Sequence, residues 1–259
     1  HVPLMEENPS QAILTNIQGT KNIADLSCHY KVKKFVMVST DKAVNPSNVM
    51  GASKRIAEKY VQSLHLISSN NKDGHNTKFI TTRFGNVLGS NGSVVPLFTK
   101  QIAAGGPITI THPDIIRYFM TIQEACQLVL EAGVMGKGGE IYIFDMGKPV
   151  KIIDLALKMI KLAGFLPEVD IKIKVVGLRP GEKLYEELLN DTSKTKPTYH
   201  EKIMIAEEIV EEYLNLHCDI EKLLQSAAHF NNEDTVRIMK RIVPEFKSMN
   251  SSYELLDKV

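Results

Sequence analysis

Apolar positions along this chain fall into runs of two different periods. Lys33 to Ser39 contains the continuous apolar stretch Phe35-Val36-Met37-Val38, Lys78 to Arg83 contains Phe79-Ile80-Thr81-Thr82, and Glu140 to Phe144 repeats the character. Runs this short, apolar and β-branched predict strands covered on both faces. Between them, apolar residues recur at helical spacing. Pro9-Ser10 opens a helical segment with Ile13, Ile17 and Ile23-Ala24 on one face. Val49 to Ile67 carries Ile56, Tyr60, Leu64 and Ile67 on a second helix, and 94–103 and Ile152 to Ala163 are two more. Thr121-Ile122-Gln123-Glu124 is a capping box, so another helix starts there and runs to about Ala132. Gly105-Gly106-Pro107 breaks the chain before a short strand, Ile108-Thr109-Ile110, and Ile171 to Val176 alternates as a half-exposed strand does. From Glu201 the chain is charged and reads as mostly helical, ending in Asp219–Ala228 and Glu233–Ile242. The alternation of strand and helix predicts an α/β fold: a parallel sheet with a smaller mixed lobe and a helical tail.

Composition narrows the class. The chain has 259 residues, enough for one large domain with a smaller lobe. A hydrophobic share of 43% and a charged share of 24% are those of an ordinary globular protein. The net charge of +1 supplies no bulk attraction to nucleic acid or to a membrane surface. No apolar run approaches the roughly 20 residues that span a bilayer. Cys28, Cys126 and Cys218 lie far apart and read as reduced thiols, and the histidines show no metal-ligand spacing. His1 follows no initiator and opens no signal peptide, so the chain reads as processed or cut from something longer.

The strand ending at Val38 runs into Ser39-Thr40-Asp41-Lys42: hydroxyls, an acid and a base at a strand end. The carboxyl edge of such a sheet is where open α/β folds bind ligands. Asn45-Pro46-Ser47-Asn48 is a turn and helix-start signal, and Met50 and Lys54 share one face of the helix that follows. The strand ending at Arg83 enters a glycine-bearing loop, Phe84-Gly85-Asn86-Val87-Leu88-Gly89-Ser90-Asn91-Gly92. A dinucleotide-binding sheet normally opens with Gly-x-Gly-x-x-Gly, and none occurs here: before residue 85 the only glycines are Gly19, Gly51 and Gly74. A sheet lacking those first strands would leave Lys33–Ser39 as an unpaired edge.

In order along the chain, Asn16-Ile17-Gln18-Gly19-Thr20, Ser39 to Lys42, Met50-Gly51-Ala52-Ser53-Lys54, Arg83-Phe84-Gly85-Asn86, Arg117-Tyr118-Phe119-Met120-Thr121 and Arg179-Pro180-Gly181-Glu182-Lys183 resemble the CapD-like polysaccharide biosynthesis proteins. These are bacterial UDP-N-acetylglucosamine 4,6-dehydratases of the extended short-chain dehydrogenase/reductase superfamily. The resemblance begins mid-domain. It implies the carboxy-terminal part of a Rossmann-type sheet over about 1–104 and 121–146, a substrate lobe over about 105–120 and 147–200, and a helical tail over 201–259. The implied function is NAD-dependent dehydration of the UDP-sugar for capsule, O-antigen or protein-glycan synthesis; NADP is not distinguished from NAD. A homo-oligomer in the cytoplasm is expected, without contact to nucleic acid, and any membrane anchor would lie before His1.

By the same resemblance Asp41 is the acid and Lys42 the base of the elimination, with their proton shared or relayed where the two form an ion pair. Thr40 hydrogen-bonds the C4 oxygen of the sugar, and Lys54 binds the nicotinamide ribose. Met50 stands where the superfamily's tyrosine belongs, and a thioether cannot take a proton, so Asp41 or a water must accept the C4 hydroxyl proton. Methionine here marks a subgroup. Phe84 and Gly85 fall beside the nicotinamide, Asn86 on the sugar diphosphate, Arg117 and Arg179 on the phosphates, Glu182 on the nucleotide ribose, and Thr109 within a strand facing uracil. Asn16 is either an active-site amide or a structural one. The Glu207-Glu208…Glu211-Glu212 cluster reads as a solvated helix face. Two rivals stand: a UDP-sugar 4-epimerase, and an inactive fragment that serves only as a binding module.

Overall fold

A computed structural model describes residues 1–70, 76–186, 195–208 and 213–258. Its strands are β1 (Lys34–Val38), β2 (Lys78–Arg83), β3 (Ile108–Ile110), β4 (Ile141–Phe144), β5 (Ile173–Val175), β6 (Thr195–Pro197) and β7 (Ile203–Ala206), with further two-residue pairings in the lobe. The main helices are α1 (Gly19–His29), α2 (Val49–Asn70), α3 (Val94–Ala103), α4 (Ile122–Met135), α5 (Ile152–Leu162), α6 (Tyr213–Ala228) and α7 (Asn232–Ile242).

The main sheet has the order β1-β2-β4-β7-β6. β1, β2 and β4 are parallel, with Val36 opposite Ile80 and Thr82 opposite Tyr142. β7 runs antiparallel to β4, and β6 antiparallel to β7. β1 is a terminal strand of this sheet among the described residues. Parallel strands end with their carboxyl ends side by side, so Ser39 after β1 and Phe84 after β2 emerge on one edge. The Asp41 N–H donates to the Phe84 carbonyl at 3.1 Å, which ties the two strand exits together.

Among the described residues three large clusters and one small one, around Val44 and Ile143, form the core. One packs Ile13, Ile17, Ile56 and Tyr60 against Leu216, Ile220, Val236, Met239 and Phe246. A second joins Ile80, Leu128, Tyr142, Phe144 and Ile203. The third, of Phe98, Ile102, Ile108, Ile110, Ile152, Ile160 and Ile171, belongs to the lobe, where β3 pairs with β5 in parallel. Within the sheet Arg83 is wholly buried. Its Nε donates to Glu58 Oε1 at 2.7 Å and its Nη1 to Glu208 Oε1 at 2.5 Å, and a second short contact reaches Glu58 Oε2. Burial alone would raise the Glu58 carboxyl, but the Arg83 charge and its hydrogen bonds outweigh that and hold it below the ordinary carboxylate range.

Several expectations need correction. Ile23 does not share the buried face of Ile13 and Ile17: it is 59% exposed. A π-helix over Ile13–Gln18 precedes α1 and breaks the 3.6-residue period assumed for that face. The segment after Glu201 is not helical from its start, because Ile203–Ala206 is a strand of the main sheet. Thr195–Pro197, expected in the lobe, also joins that sheet. The helix expected over Val49 to Ile67 continues to Asn70. Glu208 is no solvated helix position, since it lies in the buried Arg83 network; Glu207 pairs with Lys196 at the surface. Glu211 and Glu212 lie outside the described residues.

Candidate active site

At the end of β1, Thr40 caps a single 3-10 turn, Asp41–Ala43, by accepting the Lys42 N–H. The turn drives the Asp41 side chain inward, where it is 1% exposed, and leaves the Lys42 ammonium at a cavity. Asp41 Oδ1 accepts from Thr40 Oγ1 at 2.9 Å and from Lys42 Nζ at 2.9 Å. Asp41 Oδ2 is buried without a hydrogen-bond partner among the described residues and faces the bare Cα of Gly85. Lys42 Nζ also donates to Asn86 Oδ1 at 3.3 Å, and Asn86 Nδ2 donates to the Tyr118 carbonyl at 3.1 Å. The lysine is thus held from two sides rather than hanging in solvent.

The start of α2 backs this turn. Asn48 Oδ1 caps the helix by accepting the Gly51 N–H at 2.8 Å, and Glu6 Oε2 accepts the Val49 N–H at 2.8 Å. A Cβ on Gly51 would fall 2.1 Å from the Lys42 carbonyl oxygen, so only glycine lets helix and turn approach so closely. Met50 lines the cavity. Ser53 Oγ donates to the Met50 carbonyl at 2.8 Å and accepts from Asn16 Nδ2 at 2.9 Å. Asn16, in the π-helix, therefore acts on the site through the backbone of Met50. Lys54 does not line the cavity. Its Nζ donates to the Val38 carbonyl at 3.4 Å, and burial lowers its pKa while Glu58 opposes that shift.

The cavity has a volume of about 510 Å³, within the usual range for small-molecule sites. Its lining includes Thr40, Lys42, Phe84, Gly85, Asn86, Thr109, Arg117, Arg179 and Glu182. Phe84 is fixed by stacking on Phe144 at 5.5 Å. The Thr109 N–H and hydroxyl are both engaged by the Gln101 amide, at 3.1 and 2.8 Å. Glu182 folds its own loop: it accepts from the Arg179 N–H at 3.1 Å, from Thr111 Oγ1 at 3.2 Å and from Arg117 Nη2 at 3.4 Å. Arg117 is buried, and its guanidinium also donates to the carbonyls of Ile116, Lys183 and Leu184 at 2.7, 2.8 and 3.2 Å. Arg179 is exposed at the rim, and its side chain makes no hydrogen bond or ion pair among the described residues.

One lining residue escaped the sequence reading. Glu186 has a side chain only 7% exposed, with Oε1 at 4.0 Å from Lys42 Nζ and 3.7 Å from Arg117 Nε. Burial raises its pKa, the Asp41 charge adds to that, and Lys42, Arg117 and Lys183 oppose it. Its one sequence signal was position, four residues past Glu182 and just beyond the arginine-bearing motif.

Comparison with known proteins sets the arrangement in context. Residues 1–208 match the family described as "Polysaccharide biosynthesis protein". The capsular polysaccharide biosynthesis protein CapD of Staphylococcus aureus is 54% identical over 243 residues, which cover 93% of this chain and 39% of CapD. A UDP-N-acetylglucosamine 4,6-dehydratase (inverting) of Campylobacter jejuni is 37% identical over 73% of this chain and 53% of its own length. A UDP-glucose 4-epimerase of Rickettsia canadensis is 38% identical over 75% and 54%. The X-ray structure of Pen from Bacillus thuringiensis superposes with a TM-score of 0.71 at 38% identity, covering 80% of this chain and 62% of Pen. The chain therefore spans about two-fifths to half the length of these curated relatives. The architecture is Rossmann-type α/β. Among the described residues no helix is long and apolar enough to cross a membrane. With a family match over most of its length and its cavity built at the strand ends, the chain belongs to the polysaccharide biosynthesis protein family.

Proposed function

We infer that this chain carries the substrate-transforming part of an NAD-dependent nucleotide-sugar 4,6-dehydratase. Its substrate would be UDP-N-acetylglucosamine, and its product a UDP-4-keto-6-deoxy-N-acetylhexosamine. The observation that carries the reading is the Lys42 ammonium, lining the cavity and held by Asp41 at 2.9 Å and Asn86 at 3.3 Å. Dehydration needs a base of only modest strength, because a ketone at C4 acidifies the C5 hydrogen. Lys42 takes that proton in its neutral amine form. Asp41 is the acid of the pair, in contact with the Lys42 nitrogen at 2.9 Å.

The hydrogen bond from Thr40 Oγ1 to Asp41 Oδ1 supplies a base for the first step. A proton leaving the C4 hydroxyl passes to Thr40 while Thr40 passes its own to Asp41. This route needs no tyrosine, and Met50 is left to pack against the sugar. A bound NAD would supply the hydride chemistry, as acceptor at C4 and donor at C6. Thr40, Lys54, Phe84 and Gly85 are the residues that would hold its nicotinamide end. The bare strand end fits that use, since a Cβ on Gly85 would stand 3.0 Å from Asp41 Oδ2 and 3.3 Å from Met146 Cε. On the substrate side, Arg179 meets the diphosphate directly, while Arg117 and Glu182 hold the loop that presents it. Asn86 and Thr109 complete the nucleotide-sugar contacts.

A 4-epimerase is the rival reading, supported by the name of the Rickettsia relative. An epimerase has no use for the Asp41–Lys42 pair. The decisive experiment is Lys42→Ala in the full-length protein. Exchange of the substrate C5 hydrogen with solvent is expected to vanish while substrate still binds. Unchanged exchange would sink the assignment, and an isomer of unchanged mass as the wild-type product would replace dehydration with epimerisation.

A further inference from the structure

Several donors on the cavity wall are committed to the protein itself: the Asn86 amide, the Thr109 N–H and the Arg117 guanidinium each donate to a neighbouring segment. Others are not. The imidazole of His1 lines the cavity and makes no hydrogen bond or ion pair among the described residues. Ser93 Oγ is buried in the same wall without a partner among the described residues, so no side chain caps the start of α3. The Val94 and Val95 N–H groups of that first turn have no partner inside the helix, and Pro96 carries no N–H. Arg179 is equally uncommitted at the rim.

His1 is seated rather than dangling. A Cβ on Gly92, whose φ is +70°, would stand 1.9, 2.7 and 2.9 Å from Cε1, Nε2 and Nδ1 of the His1 ring. The imidazole therefore lies against the bare Cα of the turn that leads into α3. One residue on, Val2 Cγ1 would be 3.1 Å from a Cβ on Gly181. Residues 1 and 2 thus join the turn before α3 to the loop that carries Arg179. The join brings an imidazole, a serine hydroxyl and a guanidinium to the positive end of a ten-residue helix. What these groups share is unspent donors, and what they suit is an anion.

We propose that His1 is a further substrate-binding residue, which donates to the diphosphate of the nucleotide sugar together with Arg179, Ser93 and the start of α3. This rests on the nucleotide-sugar reading above and names a group that meets the substrate's charge. A neutral imidazole offers one N–H; a phosphate beside it favours the protonated ring, which offers two and adds a positive charge. Gly92 has a use in this, because a side chain there would push the ring out of its seat.

The test uses the full-length protein and two ligands, UDP and uridine, which differ only in the diphosphate. His1→Ala is expected to weaken UDP by about 10–100-fold, the worth of one charge-assisted contact, and to leave uridine bound as before. His1 is exposed, so H1A should melt as the wild type does. Gly92→Ala should repeat the loss by displacing the ring, and in the H1A background it should add nothing further for UDP. UDP bound as tightly by H1A as by the wild type would overturn the proposal and leave the dehydratase reading standing. So would an equal loss for UDP and uridine, which would make His1 a mere support of the 90–93 turn. A wild type that binds neither UDP nor UDP-N-acetylglucosamine would overturn both.

Discussion

Gly51→Ala tests whether the site depends on the close approach of α2 to the Asp41–Lys42 turn. The added Cβ would stand 2.1 Å from the Lys42 carbonyl oxygen and 2.9 Å from its carbonyl carbon, whereas real Cβ contacts essentially stop at 3.0 Å. Helix and turn must therefore separate by about 0.9 Å. Two effects compete. Alanine is favoured over glycine inside a helix by about 0.8–1.0 kcal/mol, and less at this first-turn position. Forcing a methyl into packed backbone costs about 1–3 kcal/mol. The clash wins, and the expected net loss is about 1–2 kcal/mol in a urea melt. The larger effect is on turnover. A displacement near 1 Å at Lys42, the proposed base, costs on the order of 10²-fold, since the rate depends on reacting atoms being held in line. Gly19→Ala is the control: it also lies in a helix, but its nearest atom is the Leu14 carbonyl oxygen at 3.9 Å. That variant should be as active as the wild type and equal or slightly better in stability. G51A protein that melts and turns over like the wild type would refute the claim that this contact sets the position of Lys42.

The remaining predictions concern other parts of the molecule. Arg83→Met leaves the buried Glu58 with Arg55, at 3.2 Å, as its remaining cation and is expected to cost about 3 kcal/mol in denaturant unfolding, the low end for a broken buried pair, while Glu58→Leu combined with Arg83→Met should recover much of it. Because the folded pKa of Glu58 lies below its unfolded value, its contribution is present above the ordinary carboxylate range and lost as pH falls through the folded pKa. A urea midpoint followed downward from neutral pH should therefore drop more steeply for the wild type than for Glu58→Gln. Arg179→Ala should weaken UDP binding by about 1.5–3 kcal/mol in calorimetry, the worth of a charge-assisted contact, and unchanged affinity would make it a plain surface arginine. Residues 1–259 contain no Gly-x-Gly-x-x-Gly, so this segment alone should bind NAD weakly; tight binding would move the cofactor site away from Thr40 and Phe84.

What was legible in the sequence was what local periodicity encodes. β1, β2 and β4 are short apolar runs, α4 announces itself by the Thr121 cap, and the Asp41–Lys42 cluster follows a strand that could only end at a sheet edge. β7 escaped because Ile203-Met204-Ile205-Ala206 is a four-residue strand in a charged stretch, and its partner β4 lies far back in the chain. Glu208 escaped for a related reason. In sequence it is one acid in an acidic run, and only the sheet brings it to the buried Arg83. Glu186 carries no motif of its own beside the recognisable Arg-Pro-Gly-Glu-Lys, and only the fold sets it near Lys42. Arg117 was singled out in the sequence and does line the cavity, but the use of its donors on the 182–186 segment was not legible, because carbonyl partners leave no mark on composition.

The carboxy-terminal tail, which offers no chemistry of its own, explains how the distant motifs meet. Beyond α7 the chain returns to the site: the Lys247 N–H donates to the Pro46 carbonyl and the Met249 N–H to the Ser47 carbonyl, each at 3.1 Å. The Gly181 N–H in turn donates to the Met249 carbonyl at 2.7 Å, while Ser47 and Asn48 side chains donate to the Gly181 carbonyl at 3.0 and 2.9 Å. Loop 45–48 and the Arg179–Lys183 loop are thus stitched to one strap of chain. The strap is anchored in turn because Val236, Met239, Ile242 and Phe246 bury themselves against Ile56 and Tyr60 of α2. Loops that carry function are normally the least stable parts of a fold. Here the two loops that frame Lys42 and Glu186 are backed by a hydrophobic core assembled from opposite ends of the chain. The tail is therefore a positioning element: shearing its apolar face, as Met239→Lys would, should loosen both loops together before β1, β2 and β4 come apart.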